Sequence, residues 1–272
     1  MTDIREKLPE LQRRAGYLLS RFKNDRCMET AAALTYMSLF ALVPLLTVVY
    51  TMASAVPAFQ GLETQMQDFL FQHLLPETSS EIEQYLNDFS RQAKNLTGAG
   101  IVFLVVTAVL MLRNIEKAFN MIWRTRENRS AVSSFLLYWA VLSLAPIMIG
   151  MALAISTYLN SFADSLDQFD IFGAKAYLLK AAPLLLSAAG FTLLYVAVPN
   201  CRVPFKHSVV GGLAAALTFN FARSIFTDLV VNSSYTFIYG AFAAVPLFLL
   251  WIYVSWTIVL MGGILVHSLS AY

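Results

Sequence analysis

The chain has 272 residues, of which 58% are hydrophobic and only 13% are charged, and its mean hydropathy is +0.61. These values exclude an ordinary soluble domain, because a packed core cannot bury so large a share of apolar side chains. The formal net charge of +2 comes with no basic tract resembling a nucleic-acid-binding arm, so no nucleic-acid partner is expected. The composition predicts an integral membrane protein.

Apolar runs of membrane-spanning length separate the clusters of charge. The second run is short, but its helical pattern continues to Trp123, so this helix is expected to project beyond the hydrocarbon. We therefore predict an all-α fold, a single membrane domain over residues 1–272 with six transmembrane helices. The runs are approximately Ala31–Val56, Thr97–Leu112, Val132–Leu159, Ala174–Val198, Ser208–Val231 and Tyr239–Leu269.

The loop charges predict the orientation of these spans. Lys and Arg concentrate in the first thirty residues and in the second and fourth connections, whereas the first and third connections are mainly acidic. Because basic loops are retained in the cytoplasm, both termini are predicted to be cytoplasmic. Cys27 and Cys201 then lie on the reducing side, and no disulfide is expected.

Two segments outside the spans have amphipathic helical patterns. In residues 1–30 the apolar positions recur opposite the basic ones, which predicts a cytoplasmic helix on the headgroup surface or a plain anchor. Residues 57–96 predict two short amphipathic helices in the first external loop. This periplasmic segment is interpreted as a structural cover, or as a lid or platform for envelope proteins.

Prolines at Pro44, Pro146, Pro183 and Pro246 fall inside four of the six runs and predict kinks there. The order of prolines and glycines in residues 31–159 resembles that in residues 174–269. This pattern favours an inverted 3+3 repeat of the kind found in many transporters. Chance similarity among apolar helices is the alternative.

The fifth run contains polar side chains that a helical wheel gathers into one arc. A charge facing lipid near the bilayer centre costs at least about 2.5–3.5 kcal/mol, so the arc is expected to face the bundle interior or a wet cavity. It is a candidate transport site, and a structural network between helices is the alternative. The arc consists of Asn220, Arg223, Ser224, Thr227 and Asp228.

A similar polar face follows the second run. Arg113, Glu116, Lys117 and Asn120 share one side of the predicted helix at its cytoplasmic end. They form a second candidate site, although residues at such a depth are often simply solvated or reach the interface with their ends.

No catalytic or metal centre is predicted. The three histidines, His73, His207 and His267, are separated by the predicted topology and cannot converge on one metal ion. The sequence also contains no phosphate-binding Gly-rich loop and no Gly-x-Ser-x-Gly motif. We expect no enzymatic activity and no cofactor.

Several motifs together resemble the YihY/BrkB family of bacterial inner-membrane proteins. The resemblance implies a multi-pass protein of the bacterial inner membrane, associated with envelope integrity. Members have often been labelled ribonuclease BN, but this sequence offers neither a metal cluster nor an RNA-binding surface. The matching stretches are Ala31–Leu39, Val43–Leu45, Phe119–Arg124, Val198–Pro204, Tyr239–Pro246 and Trp251–Trp256.

Three functions are compatible with these features. The first is translocation of a phospholipid or another amphipathic envelope component across the inner membrane, with Arg223 available to meet a phosphate. The second is a channel or secondary transporter for a small polar solute or ion. The third is an envelope scaffold that transports nothing. A groove open to lipid would favour the first, and a closed polar path would favour the second.

Overall fold

Seven helices account for most of the part of the chain that the computed structural model describes, which contains no strand. The described residues are 16–55, 98–125, 129–130, 132–140, 144, 147–148, 174–232 and 244–270. We number the helices α1 (16–24), α2 (Cys27–Ala55), α3 (Gly98–Trp123), α4 (132–140), α5 (Ala174–Ala197), α6 (Phe205–Asn232) and α7 (Ala244–Ser270).

The described helices follow the predicted apolar runs closely. Helices α2, α5 and α6 begin and end within about four residues of the predicted bounds, and α3 continues to Trp123 as expected. By length and apolar composition, two described helices could cross a membrane, over Phe205–Leu229 and Val245–Ser270, and Pro183–Ala197 is a shorter apolar helix. The count of six spans and the inverted repeat remain predictions, and residues 57–96 lie outside the described residues.

Two helices end at an arginine in the left-handed backbone conformation. Arg26 has φ 49° between α1 and α2, and Arg124 has φ 53° after α3. At Arg124 the amide of Thr125 donates to the Asn120 carbonyl at 3.0 Å, and the Arg124 amide donates to the Met121 carbonyl at 3.1 Å. This is a Schellman cap, which satisfies the last carbonyls of a helix. The helical path of the chain is therefore interrupted at Arg26 and ends at Arg124.

Prolines have different effects according to their position in each helix. Pro183 lies inside α5, where it removes one backbone hydrogen bond. Pro246 lies in the first turn of α7, where backbone amides have no acceptor within the helix, so a kink is not required there. Between α5 and α6, Pro199 and Pro204 flank a tight connection, and the Pro204 carbonyl accepts the amides of His207 and Ser208.

Helix α7 lies at the centre of the described bundle and contacts α2, α3, α5 and α6. Its Leu260 and Ile264 pack with Phe22, Leu34 and Ile122 in one buried cluster. A second cluster joins Phe119 of α3 and Tyr195 of α5 to Val259 and Val266 of α7. Two hydrogen bonds add to this packing: Trp256 Nε1 donates to Ser38 Oγ at 2.8 Å, and the Tyr195 hydroxyl donates to the Val259 carbonyl at 3.0 Å.

Glycines allow α5, α6 and α7 to approach closely. A Cβ atom on Gly212 would lie 2.8 Å from the Ala188 carbonyl oxygen and nearer still to the Thr192 side chain. Cβ atoms on Gly211 and Gly262 would overlap Val266 and the Tyr195 ring. Small residues at helix contacts are the usual means by which membrane helices pack closely.

We predict that Gly212→Ala lowers the free energy of unfolding by about 1–3 kcal/mol, because the added methyl group forces the α5 backbone away. The matched control is Gly190→Ala in α5, where the new Cβ would meet only the Met148 methyl at 3.8 Å. Unfolding of the purified proteins by SDS in mixed micelles, followed by circular dichroism, measures both. Equal stability of the two variants would show that the contact between α5 and α6 at Gly212 leaves room for a methyl group.

Candidate functional site

A buried carboxylate lies where α3 meets α4. The Glu116 side chain is 8% exposed, and its Oε2 accepts a hydrogen bond of 2.6 Å from the Tyr138 hydroxyl. Arg129 Nε lies 3.9 Å from Glu116 Oε1, with 14% of the Arg129 side chain exposed. A buried charge is tolerated only when it is paired and hydrogen-bonded, and Glu116 has both kinds of partner.

Arg129 also holds the connection between α5 and α6. Its guanidinium donates to Asn200 Oδ1 at 3.3 Å, to the Pro199 carbonyl at 3.2 Å and to the Ala197 carbonyl at 3.4 Å. The Asn200 amide in turn donates to Asn120 Oδ1 of α3 at 2.8 Å. We call Glu116, Asn120, Arg129, Tyr138 and Asn200 the Arg129 network. It joins α3, α4 and the α5–α6 connection at the end of the bundle where α1 lies.

A second polar contact fixes α1 on the bundle. Arg21 Nε lies 3.0 Å from Asp25 Oδ2, both side chains being 10% exposed. Arg21 Nη2 donates to the Ile122 carbonyl at 3.0 Å, and Arg124 approaches Asp25 at 4.0 Å. Phe22 on the same helix is buried in the core cluster. Helix α1 is thus packed against α3, and Arg21 lies inside the bundle, although the sequence pattern placed it among the basic residues opposite the apolar face of a headgroup-surface helix.

An open groove of about 360 Å³ lies between α2 and α3. One wall begins with Arg26, just before α2, and with Glu29 and Thr30 of α2, and it continues with Ala33, Leu34 and Met37. The wall therefore changes from charged to apolar over about 16 Å, at 1.5 Å of rise per residue. The floor is formed by buried Leu34 and Ala118. The other α3 residues of the lining are Asn114, Lys117 and Met121.

Three charged side chains line the charged end of this groove, and all three are exposed: Arg26, Glu29 and Lys117. Arg26 and Lys117 are cationic and Glu29 is anionic. Among the described ion pairs, none involves any of the three, so the groove offers charges of both signs to a ligand. The groove opens on the outside of the bundle, because Ala33 and Met121 beside its floor are also exposed.

The polar arc of α6 lies at the edge of the packed face of that helix. Arg223 and Thr227 are half-buried, whereas Asn220, Ser224 and Asp228 are exposed. The buried residues of α6 are instead small or aromatic, such as Ala215, Ala216 and Phe226. Of the arc, only Arg223 and Thr227 are therefore partly buried in the bundle. The transport role of the arc stays a prediction.

The second candidate set divides into two pairs. Glu116 is buried and Asn120 is half-buried, and both belong to the Arg129 network. Arg113 and Lys117 are exposed, and Lys117 lines the groove. The reading of this helix face as simply solvated is therefore wrong for Glu116. Arg129 and Tyr138 carry no sequence signal for this role, because their contact with Glu116 depends on how α3, α4 and the α5–α6 connection meet.

Within the described residues, no three His, Cys, Asp or Glu side chains are close enough to share a metal ion. The two cysteines are free thiols in different surroundings. Burial, with a further effect of Asp25, raises the pKa of Cys27 to about 11. Burial also raises the pKa of Cys201, which is half-buried. Cys27 precedes the first predicted span and Cys201 lies in the α5–α6 connection.

We predict that iodoacetamide labels Cys201 much faster than Cys27 at pH 8. At a pKa of about 11, only about 0.1% of Cys27 is the reactive thiolate, and the side chain is fully buried. Mass spectrometry of timed samples in mild detergent measures the two rates. Protein unfolded in SDS is the control, in which both cysteines react. Equal rates in the folded protein would contradict the burial of Cys27.

Comparison with known proteins places this architecture in a family. The sequence model described as "Virulence factor BrkB" matches residues 18–271. The chain belongs to the BrkB family. Proteins named "UPF0761 membrane protein" from Teredinibacter turnerae and Saccharophagus degradans are 51% and 50% identical to it over 255 residues. One from Azotobacter vinelandii is 50% identical over 256 residues.

These comparisons confirm the family predicted from the motifs and the assignment as a membrane protein. The aligned residues cover 94% of this chain but only 59–62% of the three relatives, so the chain spans about three fifths of their length. The names of the relatives describe membrane proteins and state no enzymatic activity. No solved structure shows significant similarity to the chain.

Proposed function

We propose that this BrkB-family protein moves a phospholipid or another amphipathic envelope component between the leaflets of the bacterial inner membrane. The observation that supports the proposal most is the groove between α2 and α3. One wall changes from Arg26 and Glu29 to Ala33, Leu34 and Met37 along the chain, and the α3 wall adds Lys117. An amphipathic molecule has the same change from polar to apolar along its length.

The position of the groove relative to the apolar runs supports this proposal. Arg26, Glu29 and Thr30 precede the first predicted span, which begins at Ala31, and Lys117 follows the apolar run that ends at Leu112. The charged end of the groove is therefore expected at headgroup depth, and the apolar end within the hydrocarbon. Charged groups in hydrocarbon are costly, so a polar groove beside the lipid lowers the barrier for a headgroup that leaves the interface.

The packing of the bundle favours this side groove over a central channel. Where α3, α5 and α7 meet, Phe119 and Tyr195 are fully buried, and Trp251 fills the space between α6 and α7. A water-filled path for a polar solute requires polar lining and open volume, and these buried residues supply neither. The scaffold alternative rests on residues 57–96, outside the described residues.

The test is reconstitution of the purified protein in vesicles that contain a fluorescent phospholipid. Bleaching of the outer leaflet by dithionite reports how fast labelled lipid arrives from the inner leaflet. We expect faster loss of the protected fluorescence in vesicles that contain the protein than in protein-free vesicles. Equal rates with and without protein, for every lipid class tried, would overturn the proposal.

A further inference from the structure

The charges that line the groove between α2 and α3 indicate which kind of lipid headgroup the groove would bind. Two cations and one anion, Arg26, Lys117 and Glu29, line the same groove, and none of them takes part in the described ion pairs. A groove that selected only for negative charge would gain nothing from a carboxylate, because Glu29 repels an anionic headgroup.

We propose that the groove binds a zwitterionic phospholipid headgroup that carries a phosphate and a primary ammonium, that is, a phosphoethanolamine lipid. Arg26 and Lys117 pair with the phosphate, and Glu29 accepts hydrogen bonds from the ammonium group. The thiol of Cys27, next to Arg26, is buried and turned away into the core cluster. This assignment rests on the proposed lipid translocation for its role, but the binding itself can be measured separately.

The chemistry of the ammonium group distinguishes this lipid from its neighbours. A primary ammonium presents three N–H donors to a carboxylate, and charge-assisted hydrogen bonds of this kind are stronger than neutral ones. A quaternary choline carries the same charge but has no N–H donor. A phosphoglycerol headgroup has the phosphate but no cation for Glu29. The groove therefore ranks phosphoethanolamine above phosphocholine and phosphoglycerol.

The groove has room for such a headgroup and for the first part of an acyl chain. Its volume of about 360 Å³ lies within the roughly 300–1,000 Å³ of ligand pockets. Beyond the charges, Thr30 and Asn114 supply hydroxyl and amide groups, and Ala33 and Met37 supply an apolar wall. The headgroup lies at the charged end, and the acyl chains continue along Met37 into the membrane.

The test measures binding and transfer of lipids with defined headgroups. Purified protein in detergent is titrated with phosphoethanolamine, phosphocholine and phosphoglycerol lipids of identical acyl chains, and the bound lipid is counted by native mass spectrometry. We expect the wild type to prefer phosphoethanolamine. Because the groove charges are exposed, Glu29→Gln should weaken phosphoethanolamine binding about fivefold at most and abolish the preference.

Two further variants keep the outcome clear. Lys117→Gln should weaken the binding of all three lipids, because each has the phosphate. Lys206 is exposed at the start of α6 and does not line the groove, so Lys206→Gln should leave the binding of all three unchanged. The inference is overturned if Glu29→Gln leaves the ranking of the three lipids unchanged or if the wild type ranks phosphoglycerol first. The vesicle assay separates the two proposals: headgroup-selective binding without transfer overturns translocation alone, and transfer without headgroup preference overturns this inference alone.

Discussion

Replacing Arg129 with alanine should lower the free energy of unfolding by about 3–5 kcal/mol, the usual loss when one partner of a buried ion pair is removed. The change leaves the Glu116 carboxylate, 8% exposed, without its cation. It also removes the donors to Asn200 and to the carbonyls of Ala197 and Pro199. Unfolding by SDS in mixed micelles, followed by circular dichroism, gives the value.

The matched control is Arg202→Ala. Arg202 lies in the same α5–α6 connection but is exposed, so its loss should change stability by no more than about 0.5 kcal/mol. A double-mutant cycle with Glu116→Ala should show coupling between the two positions of about 0.5–3 kcal/mol. If Arg129→Ala and Arg202→Ala were equally stable, the Arg129 network would not hold the helices together.

Filling the groove should stop lipid movement. We expect Ala33→Trp to reduce transfer in the vesicle assay to nearly the rate of protein-free vesicles. Ala33 lines the groove at the point where the α2 wall becomes apolar, and an indole ring placed there occupies the space that a headgroup would cross in the proposed transfer. The measurement is the rate of dithionite bleaching at equal amounts of reconstituted protein.

A neighbouring residue of the same type provides the control. Ala32 is exposed on α2 and does not line the groove, so Ala32→Trp adds an equal volume on the lipid side and should retain wild-type transfer. Both variants should elute as the wild type does in size-exclusion chromatography, because neither position is buried. Full activity of the folded Ala33→Trp protein would remove the groove from the transfer path.

The helices themselves follow from local patterns in the sequence. Apolar length and the positions of charge predicted α2, α5 and α6 to within about four residues of their bounds, and the start of α3 to within one residue. The continuation of α3 to Trp123 was also predictable from the sequence, because apolar residues keep the helical period there. Family motifs such as Phe119–Arg124 coincide with core residues, because Phe119 and Ile122 are fully buried.

Contacts between distant segments could not be read in the same way. In the sequence, nothing distinguishes Glu116, Tyr138 and Arg129 from ordinary interfacial residues. Their contact forms only where α3 and α4 pack together. Arg21 and the exposed Lys23 lie in the same basic segment, but Arg21 pairs with Asp25 and donates to the distant Ile122 carbonyl, and the second contact depends on the packing of α1 on α3. The helical wheel of α6 grouped five polar residues into one arc, but it could not show that three of them, Asn220, Ser224 and Asp228, are exposed.

The groove could not be predicted from the sequence for a related reason. Its two walls, Arg26–Met37 and Asn114–Met121, are far apart in the sequence, and neither wall alone is concave. The amphipathic change along α2 is visible only when the residues that face α3 are known. Lys117 was one of the candidate residues at the α3 end, but its position in the same groove as Glu29 depends on the packing of both helices.

The glycine contacts give the bundle uneven mechanical properties. Helices α5, α6 and α7 pack so closely at Gly211, Gly212 and Gly262 that no Cβ atom would fit at these positions. The three helices therefore resist displacement and form one stiff frame. Helices α2 and α3 enclose an open groove, whose exposed rim residues Ala33 and Met121 have free space beside them, although Leu34 and Ala118 on its floor pack in the core cluster with α7. Side-chain movement at the exposed rim of the groove therefore meets less steric resistance than movement within the frame around α7.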